Sequence, residues 1–451
     1  MTPQPQDLWF LPLGGCGEIG MNLNLYGHNG QWLMVDCGVT FAPPNAPPSV
    51  PQVQMADPRF ISDRKEQLVG LVITHAHEDH IGAVAHLWPL LRCPVYTTPF
   101  TAAVLERKLG EVGLAGFVPV HVVPSQGRRD IGVFDVQWVH LTHSIPDPSA
   151  LMIRTPVGSV FHTADWKLDP TPVLGEGFQA THYQRIGDQG VSAMVCDSTN
   201  ALVPGHSISE ATLTPHLERW VASAPQRVVF ACFASNLARL VTLARIAKRQ
   251  RRHFTVIGRS LERMIATARQ QDVWPEDLPV MPARDAGYCP RSTVLAVATG
   301  SQGEPRAALA QLARDRHPAF GLEADDRVVF SSRAIPGNEA AISQLCQQLT
   351  LQGIHVVTDD QLEAPIHASG HPAVEELELM YQWIRPQLAI PVHGEAPHMQ
   401  ANASIAKASG VPRQWVGENG DLFMIAPVTG IQRGAVNVGR LGLQGEMLVG
   451  L

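Results

Sequence analysis

Long apolar runs are missing from this 451-residue sequence: the longest are strand-sized and broken by His, Arg or Gly, so no membrane span is expected. The start, Met1-Thr2-Pro3-Gln4, lacks a basic stretch followed by an apolar core, and no export signal is expected. Cysteine is sparse. The seven cysteines (16, 37, 93, 196, 232, 289, 346) include no Cys-x-x-Cys pair and are odd in number, which argues against a disulfide framework and points to a reducing cytoplasm. Repeats and low-complexity tracts are absent, which excludes collagen-like and disordered classes. Positive charge is also in deficit. A net charge of −7 argues against a protein that coats nucleic acid with its whole surface, while leaving local patches open.

What is present is a globular, loop-rich composition: 45% hydrophobic and 17% charged residues, with Gly 38 and Pro 36 spread along the chain. The length exceeds one ordinary core, so two domains, or one carrying a large insertion, are expected. Short β-rich runs at 32–35, 71–73, 133–141, 159–162 and 193–196 each end in a polar loop. Six prolines at 43, 44, 47, 48, 51 and 58 predict an ordered surface loop without regular structure. From about 209 the pattern becomes strand and helix alternation, with strands at 227–230, 255–257, 294–297 and 328–330 and helices over 237–250 and 261–270. The earlier style resumes with a helix over 373–384 and a strand at 388–392. The expected organisation is an α/β protein, residues 1–208 and 366–451 forming one domain interrupted by a parallel α/β domain at 209–365.

Basic residues cluster inside that insertion. Between Gln226 and Gln270 stand ten Lys or Arg (227, 239, 245, 248, 249, 251, 252, 259, 263 and 269) against one acid, Glu262. Such a run is ordinarily a solvated helix face, and the alternative is a local patch for nucleic-acid phosphates.

The densest chemistry is Thr74-His75-Ala76-His77-Glu78-Asp79-His80, which follows an apolar strand and precedes a helix expected over 81–88. Three imidazoles and two carboxylates this close need a positive partner near a core, and a metal ion supplies one. His75 and His77 can reach one ion while Asp79 and His80 turn to a second; Glu78 suits the helix start. His143, Asp165 and His393 each follow a strand, where loops of a sheet converge. Together they put His75, His77 and His143 on one ion, Asp79, His80 and His393 on the other, and Asp165 between them.

This His-x-His-x-Asp-His run with a later His, Asp and His resembles the metallo-β-lactamase superfamily. Seven ordered segments sharpen the likeness: Gly14-Gly15-Cys16-Gly17-Glu18-Ile19-Gly20, Thr142-His143-Ser144-Ile145-Pro146-Asp147, Asp197-Ser198-Thr199-Asn200, Phe233-Ala234-Ser235-Asn236, Thr299-Gly300-Ser301-Gln302-Gly303-Glu304-Pro305, Ile335-Pro336-Gly337-Asn338-Glu339 and His367-Ala368-Ser369-Gly370-His371. They resemble the ribonuclease J family from Leu13 to about Asp421. The resemblance implies an αββα metallo-β-lactamase domain interrupted by a β-CASP domain, with two Zn2+ ions (Mn2+ or Mg2+ as alternatives). It also implies cleavage of single-stranded RNA, for which Ser235, Asn236 and the glycine turns predict a preference for a 5′-monophosphate end. A homodimer and RNA-decay partner proteins are further implied associations. Ala76 and Ala164 stand where the family usually has Gly, and the usual C-terminal domain is not expected in a sequence ending at Leu451.

On that resemblance Asp79, Asp165, Asp197 and His371 form the catalytic set, with His371 as proton donor or phosphate clamp oriented by Asp197. His367 and Ser369, with the flanking backbone of Ala368 and Gly370, are expected to bind the phosphodiester. Ser235 and Asn236 begin a helix, where Ser or Asn is ordinarily a cap; the resemblance makes them RNA phosphate contacts. The Gly300–Gly303 and Gly337-Asn338 turns are expected as further phosphate contacts. Two competing functions are a small-molecule hydrolase of the same fold and an RNA-binding subunit without catalysis.

Overall fold

Alternation along the first strands explains how two sheets come to lie face to face. In Gln31–Val35, Leu33 and Val35 point to one side and Trp32 and Met34 to the other, and all four are fully buried. Leu33 and Val35 join Phe10, Tyr26 and Val72 against Val136, Trp138, Leu151, Val195 and Ile390 of the second sheet. Trp32 and Met34 pack outward against Val84, Leu87, Leu105 and Leu109 of two covering helices, Val84–Leu91 and Pro99–Glu111. On the far side Met152, Phe161, Met194 and Ala389 meet Tyr183, Leu377, Tyr381 and Ala406 of three more helices. The layering is therefore helix, sheet, sheet, helix. This computed structural model describes residues 1–43, 46–47, 49–335, 337–359 and 364–451.

The eight-stranded sheet runs Gly430–Gln432, Leu422–Ala426, Leu8–Gly14, Leu23–His28, Gln31–Val35, Leu68–Val72, Val95–Thr97, Val120–Val122. The seven-stranded sheet runs Arg413–Gln414, Leu388–Val392, Ala193–Asp197, Gly158–His162, Ser149–Thr155, Phe134–His140, Arg128–Ile131. Both sheets thus take strands from the first 200 residues and from the residues after 387. The chain leaves this body between them and builds a separate five-stranded parallel sheet, His253–Ile257, Val294–Ala298, Val228–Ala231, Arg327–Phe330, His355–Val357, with helices on both faces. The expected αββα body with an inserted parallel α/β unit is the fold observed.

Local expectations fail in identifiable places. The proline-rich segment is not all loop: Val53–Ala56 is a strand paired with Val39–Phe41 and with Arg440–Gln444, because its four residues contain no proline. Pro44 and Pro48 lie outside the described residues, as does Pro336. The single helix expected over 81–88 is two, Glu78–Ile81 and Val84–Leu91.

Half of the ten basic residues of the island have an acidic partner. Arg227 and Arg239 are buried, against Asp326 and Glu210 respectively. Lys248 pairs with Asp277 at 2.7 Å, Arg249 with Glu218 at 2.8 Å and Arg263 with Glu111 at 2.8 Å. Arg252 donates to the carbonyls of Gln226, Val221 and Ala224. Proximity in sequence hid these partners, which come from other elements; Arg245, Arg251, Arg259 and Arg269 form no ion pair among the described residues.

Candidate metal centre

Five of the seven candidate ligands sit just beyond a strand, and Asp79 and His80 lie in the short helix Glu78–Ile81 that follows His77. His75 and His77 follow Leu68–Val72, Asp165 follows Gly158–His162, and His393 directly follows Leu388–Val392. Backbone at two of these turns is left-handed, with φ of 51° at Ala164 and 51° at His393. That conformation costs a residue with a Cβ about 1 kcal/mol, which explains why glycine suits the position before Asp165. Ala76 has no such requirement and packs into the apolar cluster of the inserted sheet.

Seven side chains named from the sequence assemble into two groups that share one carboxylate. His75, His77, His143 and Asp165 form the first, and Asp79, His80, Asp165 and His393 the second. In the first, His77 Nδ1 lies 3.1 Å from His75 Nε2 and 3.0 Å from His143 Nε2. Three imidazole nitrogens aimed at one point cannot all be satisfied by one another's protons. In the second, His393 Nε2 is 3.2 Å from Asp79 Oδ2 and His80 Nε2 is 3.5 Å from Asp79 Oδ2. Asp165 Oδ1 has His80 Nε2 and His393 Nδ1 each at 3.2 Å, yet it makes no well-aligned hydrogen bond and is buried. A buried, under-satisfied carboxylate among convergent imidazoles fits a pair of divalent cations.

Electrostatics agree with that donor set. Burial first, then neighbouring imidazoles, hold His75 and His143 well below the usual histidine range, and burial lowers His77 to about 4. Their lone pairs are therefore available. Burial opposes ionisation of Asp165, but His393, His80 and His371 outweigh it and keep the carboxylate charged. Burial likewise opposes protonation of His80 and His393, and Asp165 with the other nearby carboxylates raises both well above the ordinary value. Zinc added to the metal-free protein near pH 7 is thus expected to displace about two protons per chain, and its affinity to rise with pH. Calorimetry in two buffers of different ionisation enthalpy measures the number; release near zero would show both rings already neutral.

Beside the two groups lies a third, His371 with Asp165, Asp197 and His393. His371 Nδ1 meets Asp197 Oδ2 at 2.8 Å, and Asp197 Oδ1 accepts from the amide and hydroxyl of Thr199 at 2.9 and 2.7 Å. Residues 366–371 form a strap over this edge. The Gly370 carbonyl stands 2.6 Å from His143 Nδ1, and the Ser369 hydroxyl accepts from Asn200 Nδ2 at 2.8 Å. Among the described residues His367 Nδ1 is buried without a hydrogen-bond partner; burial first, then Arg239, Arg333 and Lys167, push this ring down to about 3.

Ser235 and Asn236 are in neither ligand group. They end the turn after Val228–Ala231, and Asn236 Oδ1 caps the helix Leu237–Arg249 through the Arg239 amide at 3.0 Å. The cap reading of Asn236, drawn from the residue alone, describes this contact. Two glycine-turn amides expected for phosphate are also occupied: Gln302 N donates to Glu304 Oε2 at 2.9 Å and Gly337 N to Glu339 Oε2 at 2.8 Å.

Asp36 was missed. Fully buried after Gln31–Val35, it accepts from the Thr74 amide at 2.8 Å and holds His80 Nδ1 at 2.7 Å, so it orients the ring of a candidate ligand. Its signal was the one that found Asp165, a carboxylate at a strand end. Glu78, expected at the helix start, begins Glu78–Ile81 and pairs with Lys108 at 2.5 Å.

An αββα body with an inserted parallel domain, and a two-group imidazole and carboxylate centre on its strand ends, define a metal-dependent hydrolase of the metallo-β-lactamase class. Residues 21–212 match the Metallo-beta-lactamase superfamily, 225–349 the Ribonuclease J, beta-CASP domain, and 362–412 the Zn-dependent metallo-hydrolase RNA specificity domain. The chain belongs to the ribonuclease J family: it is 45% identical over 428 residues to Ribonuclease J of Sinorhizobium meliloti, covering 94% of this chain and 75% of that one. Identity to Ribonuclease J of Mycolicibacterium smegmatis is 38% over 446 residues, 98% of this chain and 79% of the relative. A crystal structure of a protein of unknown function from Enterococcus faecalis V583 shares the fold, with TM-score 0.63 and 16% identity over 93% of this chain and 100% of the other. Among the described residues no helix is long and apolar enough to cross a membrane.

Proposed function

We propose that this chain hydrolyses phosphodiester bonds of single-stranded RNA with two zinc ions, 5′ to 3′ and at internal sites, in cytoplasmic RNA maturation and decay. The observation that carries the reading is the pair of ligand groups sharing Asp165 with the His371–Asp197 couple alongside. His75, His77 and His143 would hold one ion and Asp79, His80 and His393 the other, with Asp165 reaching both. A donor set this rich in imidazole favours zinc over magnesium, with manganese intermediate. The limits assigned to the two domains are 1–208 with 366–451, and 209–365. A homodimer and RNA-decay partner proteins rest on the family relationship.

When bound, the ions supply activated water at neutral pH and neutralise charge on the phosphate. The protein's own residues orient and move protons. Gly370 O fixes the His143 ring so that Nε2 faces the centre, and Asp36 does the same for His80. His371 donates Nδ1–H to Asp197, which leaves Nε2 to carry a proton to the departing 3′ oxygen. Burial opposes that protonation, but Asp197 and Asp165 outweigh it and raise the ring above its ordinary value. Ser369, His367 and the strap backbone would hold the phosphodiester.

Ser235 and Asn236 sit at the strand end of a parallel sheet beside the start of a helix, a place that suits a terminal phosphate. A 5′-monophosphate RNA is therefore expected to be degraded faster than its 5′-triphosphate form. Labelled RNAs with each end test it, and equal rates would remove the terminal pocket from the reading. Turnover of a small ester without RNA cleavage would replace the whole reading with a small-molecule hydrolase.

A further inference from the structure

The two chain crossings between the αββα body and the inserted sheet meet at one buried side chain. Arg239, in the first turn of Leu237–Arg249, is fully buried. Its Nε and Nη2 bond both oxygens of Glu210, at the start of the incoming crossing, with Nη2 to Oε2 at 3.1 Å. Its Nη1 bonds the hydroxyl of Ser331, the Ser331 carbonyl at 2.8 Å and the Ile366 carbonyl at 3.1 Å. Ser331 Oγ also donates to Ile366 O, at 2.6 Å. Ile366 is the first residue of the strap that carries Gly370 and His371.

We propose that Arg239 is a positioning residue for the metal centre: by tying Ile366 to Glu210 and Ser331 it sets where the strap presents Gly370 to His143 and His371 to Asp197. The inference rests on the metal-centre assignment proposed above. An apolar side chain could fill the same space, but it would leave the Ser331 and Ile366 carbonyls and the Glu210 carboxylate without this donor. A buried ion pair of this kind is a poor stabiliser relative to apolar packing and a good specifier of register. The strap is held at its other end by Asn200, which donates to Ser369 Oγ and to His371 O at 3.2 Å. Released at Ile366, it can shift the Gly370 carbonyl away from His143 Nδ1 while the sheets stay intact.

Removing one charge alone strands the other, so the test uses the double variant Arg239→Met with Glu210→Leu, which replaces the pair by apolar groups. Zinc affinity is measured by competition with a chelator, and kcat and KM on labelled RNA are measured separately. Thermal unfolding close to the parent establishes that the variant is folded. The expected result is a loss of about 10–100-fold in zinc affinity, the usual cost of disturbing a ligand's outer partner, with kcat falling and KM for RNA unchanged. Arg239→Lys, which keeps one charge and fewer bonds, is expected to recover part of the affinity. Arg227→Met breaks another buried ion pair of the inserted domain, that with Asp326, and serves as the control. Parent-like zinc affinity in the folded double variant overturns the proposal, and so does an equal loss in Arg227→Met, which would signal general loosening. A parent protein that binds zinc but leaves RNA intact would refute the ribonuclease reading, while the affinity comparison still decides the role of Arg239.

Discussion

Asp165→Ala is expected to leave a folded protein that has lost at least one of two metal ions and at least ~10³-fold in RNA cleavage, because one carboxylate serves both ligand groups. Its two oxygens face different imidazoles: Oδ1 has His80 and His393 at 3.2 Å, and Oδ2 has His75 and His143 at 3.8 Å. Two divalent cations bound by these groups would repel strongly in a site of low dielectric, and the carboxylate common to both groups would offset that repulsion. Alanine removes the anion and leaves the imidazoles in place. The sheet does not depend on Asp165, since its Oδ1 makes no well-aligned hydrogen bond and the surrounding strands pair through their backbones. Metal analysis, circular dichroism and turnover of 5′-labelled RNA measure the three parts. A variant with two ions per chain and near-parental turnover would show that the centre has been assigned wrongly.

His371→Ala is expected to behave differently, losing about 10²–10⁴-fold in kcat while both ions stay bound. His371 is 21% exposed in its side chain, against 3% for Asp165, and lies beside the seven candidate ligands with its Nδ1 committed to Asp197. Its Nε2 proton matters only when the leaving oxygen is a poor one. A nitrophenyl phosphodiester, whose leaving group departs without protonation, should therefore be spared most of the loss. Asp197→Asn should show a smaller decline of the same kind, since an amide can still meet Nδ1 without holding the ring protonated. Loss of metal from His371→Ala would instead make this residue a ligand, a reading open to it because Asp165, Asp197 and His393 stand close by.

The two proposed roles divide along a line visible in the sequence. Ligand candidates were legible because each segment that carries them follows an apolar run, and a polar side chain at that point is carried to the edge where the loops of a sheet meet. The strand Leu388–Val392 is observed where its apolar run predicted it, and the helix expected over 237–250 is observed as Leu237–Arg249. Asp36 obeys the same rule but stands alone, with no neighbouring histidine to draw attention to it, and its partner His80 is forty-four positions away. Asn200, which holds the strap from below, carried no chemical signal beyond its motif. Segment ends were less legible, as the helix expected over 81–88 shows by breaking around Gly82 and Ala83.

Charge was the feature least readable in one dimension. Ten basic residues within forty-five positions look like a single surface, but residues distant in sequence pair with five of them, Arg227, Arg239, Lys248, Arg249 and Arg263. Glu210 buries Arg239, while Glu218 and Asp277 neutralise Arg249 and Lys248 on the outside. The carboxylates of Glu304 and Glu339 likewise occupy glycine-turn amides that sequence alone leaves free for phosphate.

By itself the sequence determined the layered α/β class, the insertion, and the identity of the seven side chains that meet at the centre. Those depend on period-two burial and on polar residues at strand ends, which are local properties of the chain. The tertiary structure alone decided which carboxylate orients His80, which cation is buried at the domain crossing, and which turn amides are already bonded. Each of these is a pairing between segments brought together by sheet order. The energy of a charge or an amide depends on its partner and its access to water, and spacing along the chain carries neither.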